Sequence, residues 1–197
     1  VDIAALIISA LSLVVALVGT LLANRRSIES HRLALEAKSD AREAVQSAAW
    51  SKSVDAVQHL IGLDPMTDDV SGPLRDLRIA NTALVDELQW AGLDRWLGEE
   101  QALGATLLRD SVERRVKSGI GVGSPDQRLA ALSSVQDWAM ALMNNLRLFR
   151  REGEKAESLL ALTNHAHDVA LAVHKRNGWK VPSGPSLMPL EGGDLPK

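Results

Sequence analysis

The chain has 197 residues and a formal net charge of −3, with 22 basic residues set against 25 acidic ones. That length leaves room for one soluble domain with its own core, and the lack of a basic excess argues against a nucleic-acid partner. With 3% aromatic residues, no tyrosine, one phenylalanine and no cysteine, the composition favours helix over sheet and excludes disulfides and thiol chemistry.

The first element is an apolar run of 21 residues, Ile3 to Ala23, that contains no charge and is closed by Asn24, Arg25 and Arg26. Roughly 20 such residues cross about 30 Å of hydrocarbon as a helix, whereas a buried core helix is usually shorter and keeps a polar face. Twelve of them are Ile, Leu or Val. Their insertion is favourable by on the order of 5 kcal/mol, more than Ser9, Ser12 and Gly19 cancel. A cleaved secretory signal needs positive charge before the run and small residues at its end. Here Asp2 precedes it, and Leu21 and Leu22 stand before Ala23. The expectation is a transmembrane helix over 1–23, with Arg25 and Arg26 holding the following chain in the cytoplasm and the N-terminus outside the cell membrane. The chain begins with Val1, and a basic segment upstream of it would reopen both readings.

Small residues within the run form one stripe. Ala5, Ser9, Ser12, Ala16, Gly19 and Ala23 alternate four and three apart, a spacing that lets two membrane helices approach closely. This predicts a homo-oligomer.

From Asn24 to Ile61 there is no Gly or Pro, so the helix is expected to continue as a stalk over 24–61, about 55 Å long. Its charges are mixed in sign, with Arg32 and Glu36 among the neighbours typical of a solvated helix. Ala34, Ala37, Ala41, Ala44 and Ala48 make a slender seam, and bulk arrives only at Trp50, Val54, Val57 and Ile61. Gly62 ends the helix, and Asp64, Pro65, Asp68 and Asp69 supply turn and capping chemistry before Gly72. These aspartates lack the spacing and distal glutamate of a calcium loop.

A bundle domain follows over 62–178. Its second helix is predicted to start at Pro73 and bury Leu74, Leu77, Leu84, Leu88 and Ala91, with a break at Gly92. Leu93 to Leu97 reads as a short apolar turn closed by Gly98. A third helix is then expected from Glu99 to Lys117, with Glu99 and Glu100 at its positive end, Arg114, Arg115 and Lys117 at its negative end, and Leu103, Leu107 and Val112 inside. Gly119, Gly121 and Gly123 lack the context of a phosphate loop and read as a connector. Ser124, Pro125 and Gln127 mark the start of a fourth helix. Its stripe of Leu132, Val135, Ala139, Leu142, Leu146 and Phe149 makes it the expected centre of the bundle. After Gly153 a fifth helix carries Leu159, Leu162, Ala166, Val169 and Val173, ending at Asn177 and Gly178. Residues 179–197, with Pro182, Pro185, Pro189 and Pro196, read as a Pro- and Gly-rich tail.

His165, His167, Asp168 and His174 are the only cluster with a ligand-like composition. Helical ligands sit three or four apart. Only His165 and Asp168 meet that condition, and they would need partners from another helix, so polar packing is the favoured reading. Trp50, Trp90, Trp96, Trp138 and Trp179 are expected as core filler, with Trp179 docking on the bundle or on a partner.

The sequence therefore predicts an all-α protein: one transmembrane helix, a helical stalk, and a four- to five-helix bundle with antiparallel neighbours. The favoured function is a non-enzymatic scaffold or adaptor, without metal or cofactor, that self-associates through its transmembrane and stalk helices and binds a protein through the bundle. The alternatives are an oligomerising sensor, effector or pore, and a membrane-bound metal enzyme built on His165 and Asp168.

Overall fold

The computed structural model describes residues 3–117, 119 and 125–181, with side chains from residue 29 onward except at 125, 128 and 129. Among these residues the fold is all-α, with five helices and no strand: α1 Ile3–Leu60, α2 Ser71–Leu88, α3 Leu93–Lys117, α4 Pro125–Glu152 and α5 Ala156–Asn177. The chain divides into two compact units, 1–45 and 46–197.

In the first unit α1 runs without a break, as the absence of Gly and Pro between Asn24 and Ile61 requires. Every side chain from Glu29 to Val45 is exposed. The alanines at 34, 37, 41 and 44 are therefore uncovered in the single chain, and so are Leu33 and Leu35. The Arg32 to Glu36 pair forms at 2.8 Å in full solvent, where it adds only a few tenths of a kcal/mol. The stripe Ala5, Ser9, Ser12, Ala16, Gly19 and Ala23, together with Arg25 and Arg26, falls where side chains lie outside the described residues. No helix among the described residues is long and apolar enough to cross a membrane; the transmembrane assignment of Ile3–Ala23 rests on the sequence alone.

The second unit is the bundle. Burial begins at Ala49, Trp50 and Ser53, and Val57 and Leu60 continue it to the end of α1. Gln46 Nε2 donates to the Glu87 carbonyl at 3.4 Å, and the Trp50 and Trp90 rings meet at 5.7 Å. These contacts bring the end of α2 beside residues 46–50 of α1. Gly62, at φ +94°, closes α1 as expected. The loop that follows is organised by Asp64, whose Oδ1 accepts from the Met66 N–H at 3.0 Å and whose carbonyl accepts from the Asp68 N–H at 2.7 Å.

Three boundaries depart from the sequence expectation. α2 starts at Ser71, ahead of Pro73, and ends at Leu88, because Gln89 adopts the left-handed conformation at φ 54° and donates its N–H to the Val85 carbonyl. Gly92, at φ +84°, then turns the chain into α3. Leu93 to Leu97 is not a separate turn but the opening of α3, which passes through Gly98. A mid-helix glycine costs about 1 kcal/mol, and full burial of Leu93, Trp96 and Leu97 outweighs that several-fold. Glu99 and Glu100 are consequently interior residues of a helix, not its charged start.

The expected central stripe of α4 is buried at every position, from Leu132 to Phe149. The hub, however, is α3, which packs on α2, α4 and α5. Against α4 it runs antiparallel: Trp96 meets Phe149 at 5.2 Å, while Arg114 near its other end donates to Ser134 Oγ at 3.2 Å. Of the glycine-rich connector only Gly119, at φ +66°, falls within the described residues. Gly121, Gly123 and the cap Ser124 lie outside them, as does the tail from Pro182 onward.

Candidate functional site

The chemistry-bearing residues of the described chain gather where α3 meets α5. Two antiparallel turns, α3 to α4 and α4 to α5, leave α3 and α5 parallel. Their contacts keep a constant offset: Glu99 with His167 and Thr106 with His174 are each 68 residues apart, and Asp110 with Asn177 is 67 apart. A constant offset repeats each contact one or two turns later, so one face of α3 lays a column of polar groups against α5.

At the lower end are two adjacent carboxylates, both buried: Glu99 is 1% exposed and Glu100 6%. Neighbours on a helix point about 100° apart, and these two serve different helices. Glu100 turns toward α4. Its Oε1 accepts from the Trp96 indole N–H at 3.0 Å and its Oε2 from the Trp138 N–H at 2.9 Å. Burial raises its proton affinity above the ordinary glutamate value, against the two indole donors, which lower it. Glu99 turns toward α5, where its Oε2 lies 3.3 Å from His167 Nδ1. Its Oε1 is buried and has no protein partner. Gly104, one turn on, lets α4 approach, because a Cβ there would sit 2.3 Å from the Trp138 ring.

In the middle, His174 is buried between two groups whose chemistry fixes its tautomer. Nδ1 is 3.2 Å from the Lys180 carbonyl, which can only accept, so Nδ1 carries the proton. Nε2, 3.4 Å from Thr106 Oγ1, is then the acceptor in the neutral ring. At the upper end, Asp110 is fully buried and takes Arg176 at 2.7 Å, Asn177 at 2.6 Å and Arg114 at 2.9 Å. Trp179 closes the column from beyond α5. Its N–H donates to Glu113 at 3.2 Å, Arg109 lies 4.1 Å above its ring and His174 meets its edge at 5.4 Å. Of the two dockings expected for Trp179, the chain itself supplies the surface.

The histidine cluster read from the sequence does not converge. His167 and His174 join the column at separate levels, while His165 and Asp168 are exposed elsewhere on α5. Among the described residues no group of three or more His, Asp or Glu is arranged to hold a metal ion. Trp50, Trp96 and Trp138 are buried as expected, and Trp90 and Trp179 are partly buried against the core. Sequence reasoning missed Glu99, Glu100, Gly104, Thr106 and Asp110. The signal that could have found Glu99, Thr106 and Asp110 is their helical spacing, shared with His167, His174 and Asn177, whereas Glu100 and Gly104 carry no such signal.

Comparison with known proteins adds nothing to this geometry: no family model, curated protein or solved structure matches the chain. What the column can do follows from its burial. Buried carboxylates fix the rotation of α3 against both neighbours, Glu100 through Trp138 on α4 and Glu99 and Asp110 through His167 and Asn177 on α5.

Proposed function

We propose that the chain is a membrane-anchored helical scaffold that pairs with a second copy along α1 and presents its bundle to a protein partner. One observation supports the reading: α1 is a single 58-residue helix whose side chains from Glu29 to Val45 are all exposed, and the sequence places the uncharged run Ile3–Ala23 ahead of them. The stretch from Glu29 to Val45 has no tertiary packing among the described residues to hold it, and isolated helices are marginal in water. Pairing supplies that packing.

The pattern of the exposed segment favours a parallel arrangement. Leu33, Ala37, Asp40 and Ala44 continue the four-three spacing of the stripe Ala5, Ser9, Ser12, Ala16, Gly19 and Ala23, through Arg26 and Ser30. Glu29, Glu36 and Glu43 flank this seam on one side, and Ala34 and Ala41 on the other. A parallel pair sets each glutamate against alanine, whereas an antiparallel pair sets glutamate rows together. Two copies anchored in one membrane with the same topology are parallel as well. The seam stops at Ala44, because Ser47 is engaged by Arg150 at 2.8 Å. Arg25 and Arg26 after the run favour a cytoplasmic bundle.

Cysteine is absent from the chain, so single cysteines report pairing directly. Oxidation in membranes is expected to crosslink Ala37→Cys and Ala44→Cys across the seam and to leave Leu35→Cys, on the opposite face, largely monomeric. Equal crosslinking at the three positions would refute a defined seam.

A further inference from the structure

α2 carries two guanidinium groups that the fold does not use. Arg75 and Arg78 stand one turn apart and are exposed, and neither has a hydrogen-bonded or ion-paired guanidinium partner among the described residues. Both line a groove of about 340 Å³ between α2 and α3, together with Ser71, Leu74, Gln101 and Ala105. Two acids lie near them in sequence. Asp69 accepts from the Ser71 backbone N–H at 2.9 Å and from the Ser71 hydroxyl, and attracts Arg75 without pairing with it. Asp76 lines the other side of α2, toward α1.

Side chains three apart on a helix are neighbours, about 5–6 Å between Cβ atoms. Two guanidinium forks at that separation can close on one tetrahedral oxyanion, each donating two parallel N–H bonds. Gln101, across the groove on α3, adds an amide donor. Together they offer more donors than the two oxygens of a carboxylate accept, and they suit the three terminal oxygens and double charge of a phosphate ester. Leu74 and Ala105 make the groove apolar beside this cationic end, so it is shaped for an organic group attached to the phosphate. Its volume is at the small end of ligand sites, which run from about 300 Å³ upward.

We propose that the α2–α3 groove binds a small phosphomonoester, with Arg75 and Arg78 on the phosphoryl oxygens, Gln101 donating its amide, and Leu74 and Ala105 against the organic end. The site lies wholly within the bundle unit and is independent of membrane anchoring and pairing. It gives the scaffold a place at which a soluble ligand can act on the contact between α2 and the hub helix.

The test is calorimetric titration of the full-length chain in mild detergent with phenyl phosphate and, separately, inorganic phosphate. Saturable binding of phenyl phosphate at one site per chain is expected, tighter than that of inorganic phosphate. Arg75→Gln and Arg78→Gln are each expected to weaken it by about tenfold or more, and Ala105→Leu to weaken phenyl phosphate more than inorganic phosphate. Arg147→Gln, which removes an exposed arginine of α4, leaves binding unchanged. All four positions are exposed, so the variants keep the parent's unfolding temperature, and a lost signal reports the site and not the fold. Absence of saturable binding, equal weakening by Arg147→Gln, or binding only to vesicles containing phosphatidate would overturn the proposal.

Discussion

At Gly104 the absence of one methyl group decides how closely α3 and α4 pack. The Trp138 ring occupies the place of its Cβ and cannot swing aside, because its indole N–H is fixed on Glu100 at 2.9 Å. Alanine is a better helix former than glycine by about 1 kcal/mol, yet overpacking a closed core costs about 1–3 kcal/mol and more when the neighbour is pinned. Gly104→Ala is therefore expected to lower stability by about 2 kcal/mol in denaturant unfolding, against the sign of helix propensity. Gln89 offers the opposite case. Its left-handed backbone at φ 54° strains any residue with a Cβ, and Gln89→Gly is expected to raise stability by about 0.5–1 kcal/mol, read as a higher unfolding temperature. Glu100 sets a pH dependence. Burial raises its folded pKa above 4.5, so between the unfolded value and that raised value the folded state holds the extra proton. Its contribution is full below the unfolded pKa and is lost as pH rises through the folded one. Replacing it by Gln removes this slope. The parent-minus-variant difference in unfolding temperature should thus fall as pH rises from about 4, and a flat difference would contradict the assignment. None of the three positions is legible in the sequence. Gly104 gives no signal until Trp138 is known to face it, and Glu100 reads as a helix start until two indoles are known to point at it.

At the level of elements, legibility followed how many partners a helix has. α4 and α5 show one continuous apolar stripe each, and positions such as Leu142, Leu146, Leu159 and Ala166 are buried as their spacing requires. α1 was legible from the absence of breakers, as was its end at Gly62. α3 was misread because three helices cover it, so its polar face toward α5 is buried with partners that no local pattern displays. Gly98 compounded the error by resembling a stop. The same helix anchors the α1–α2 loop through the buried ion pair of Arg115 with Asp64. Arg115→Met keeps the packing volume and removes the cation beside the Asp64 carboxylate, at an expected cost of about 3 kcal/mol. Adding Asp64→Asn should recover part of that loss, because the two side chains are coupled. Additive losses in the double-mutant cycle would show that the pair does not act as one.

At the scale of the whole molecule the chain divides into two compact units, 1–45 and 46–197. In the first, the side chains described, Glu29 to Val45, are all exposed. Residues 46–197 contain the buried core and every polar network described above. The all-α class and the unbroken course of α1 follow from composition and from where Gly and Pro fall. The polar column and the arginine groove do not, since both depend on which helix faces which. The central claim is that α1 embeds the chain in a bilayer through its first 21 uncharged apolar residues. Its most direct test is alkaline carbonate extraction of membranes from cells expressing either the full chain or a chain beginning at Ser27. The full chain is expected to remain in the membrane pellet and the shortened chain to be released with its bundle folded. Release of the full chain by carbonate would contradict the account.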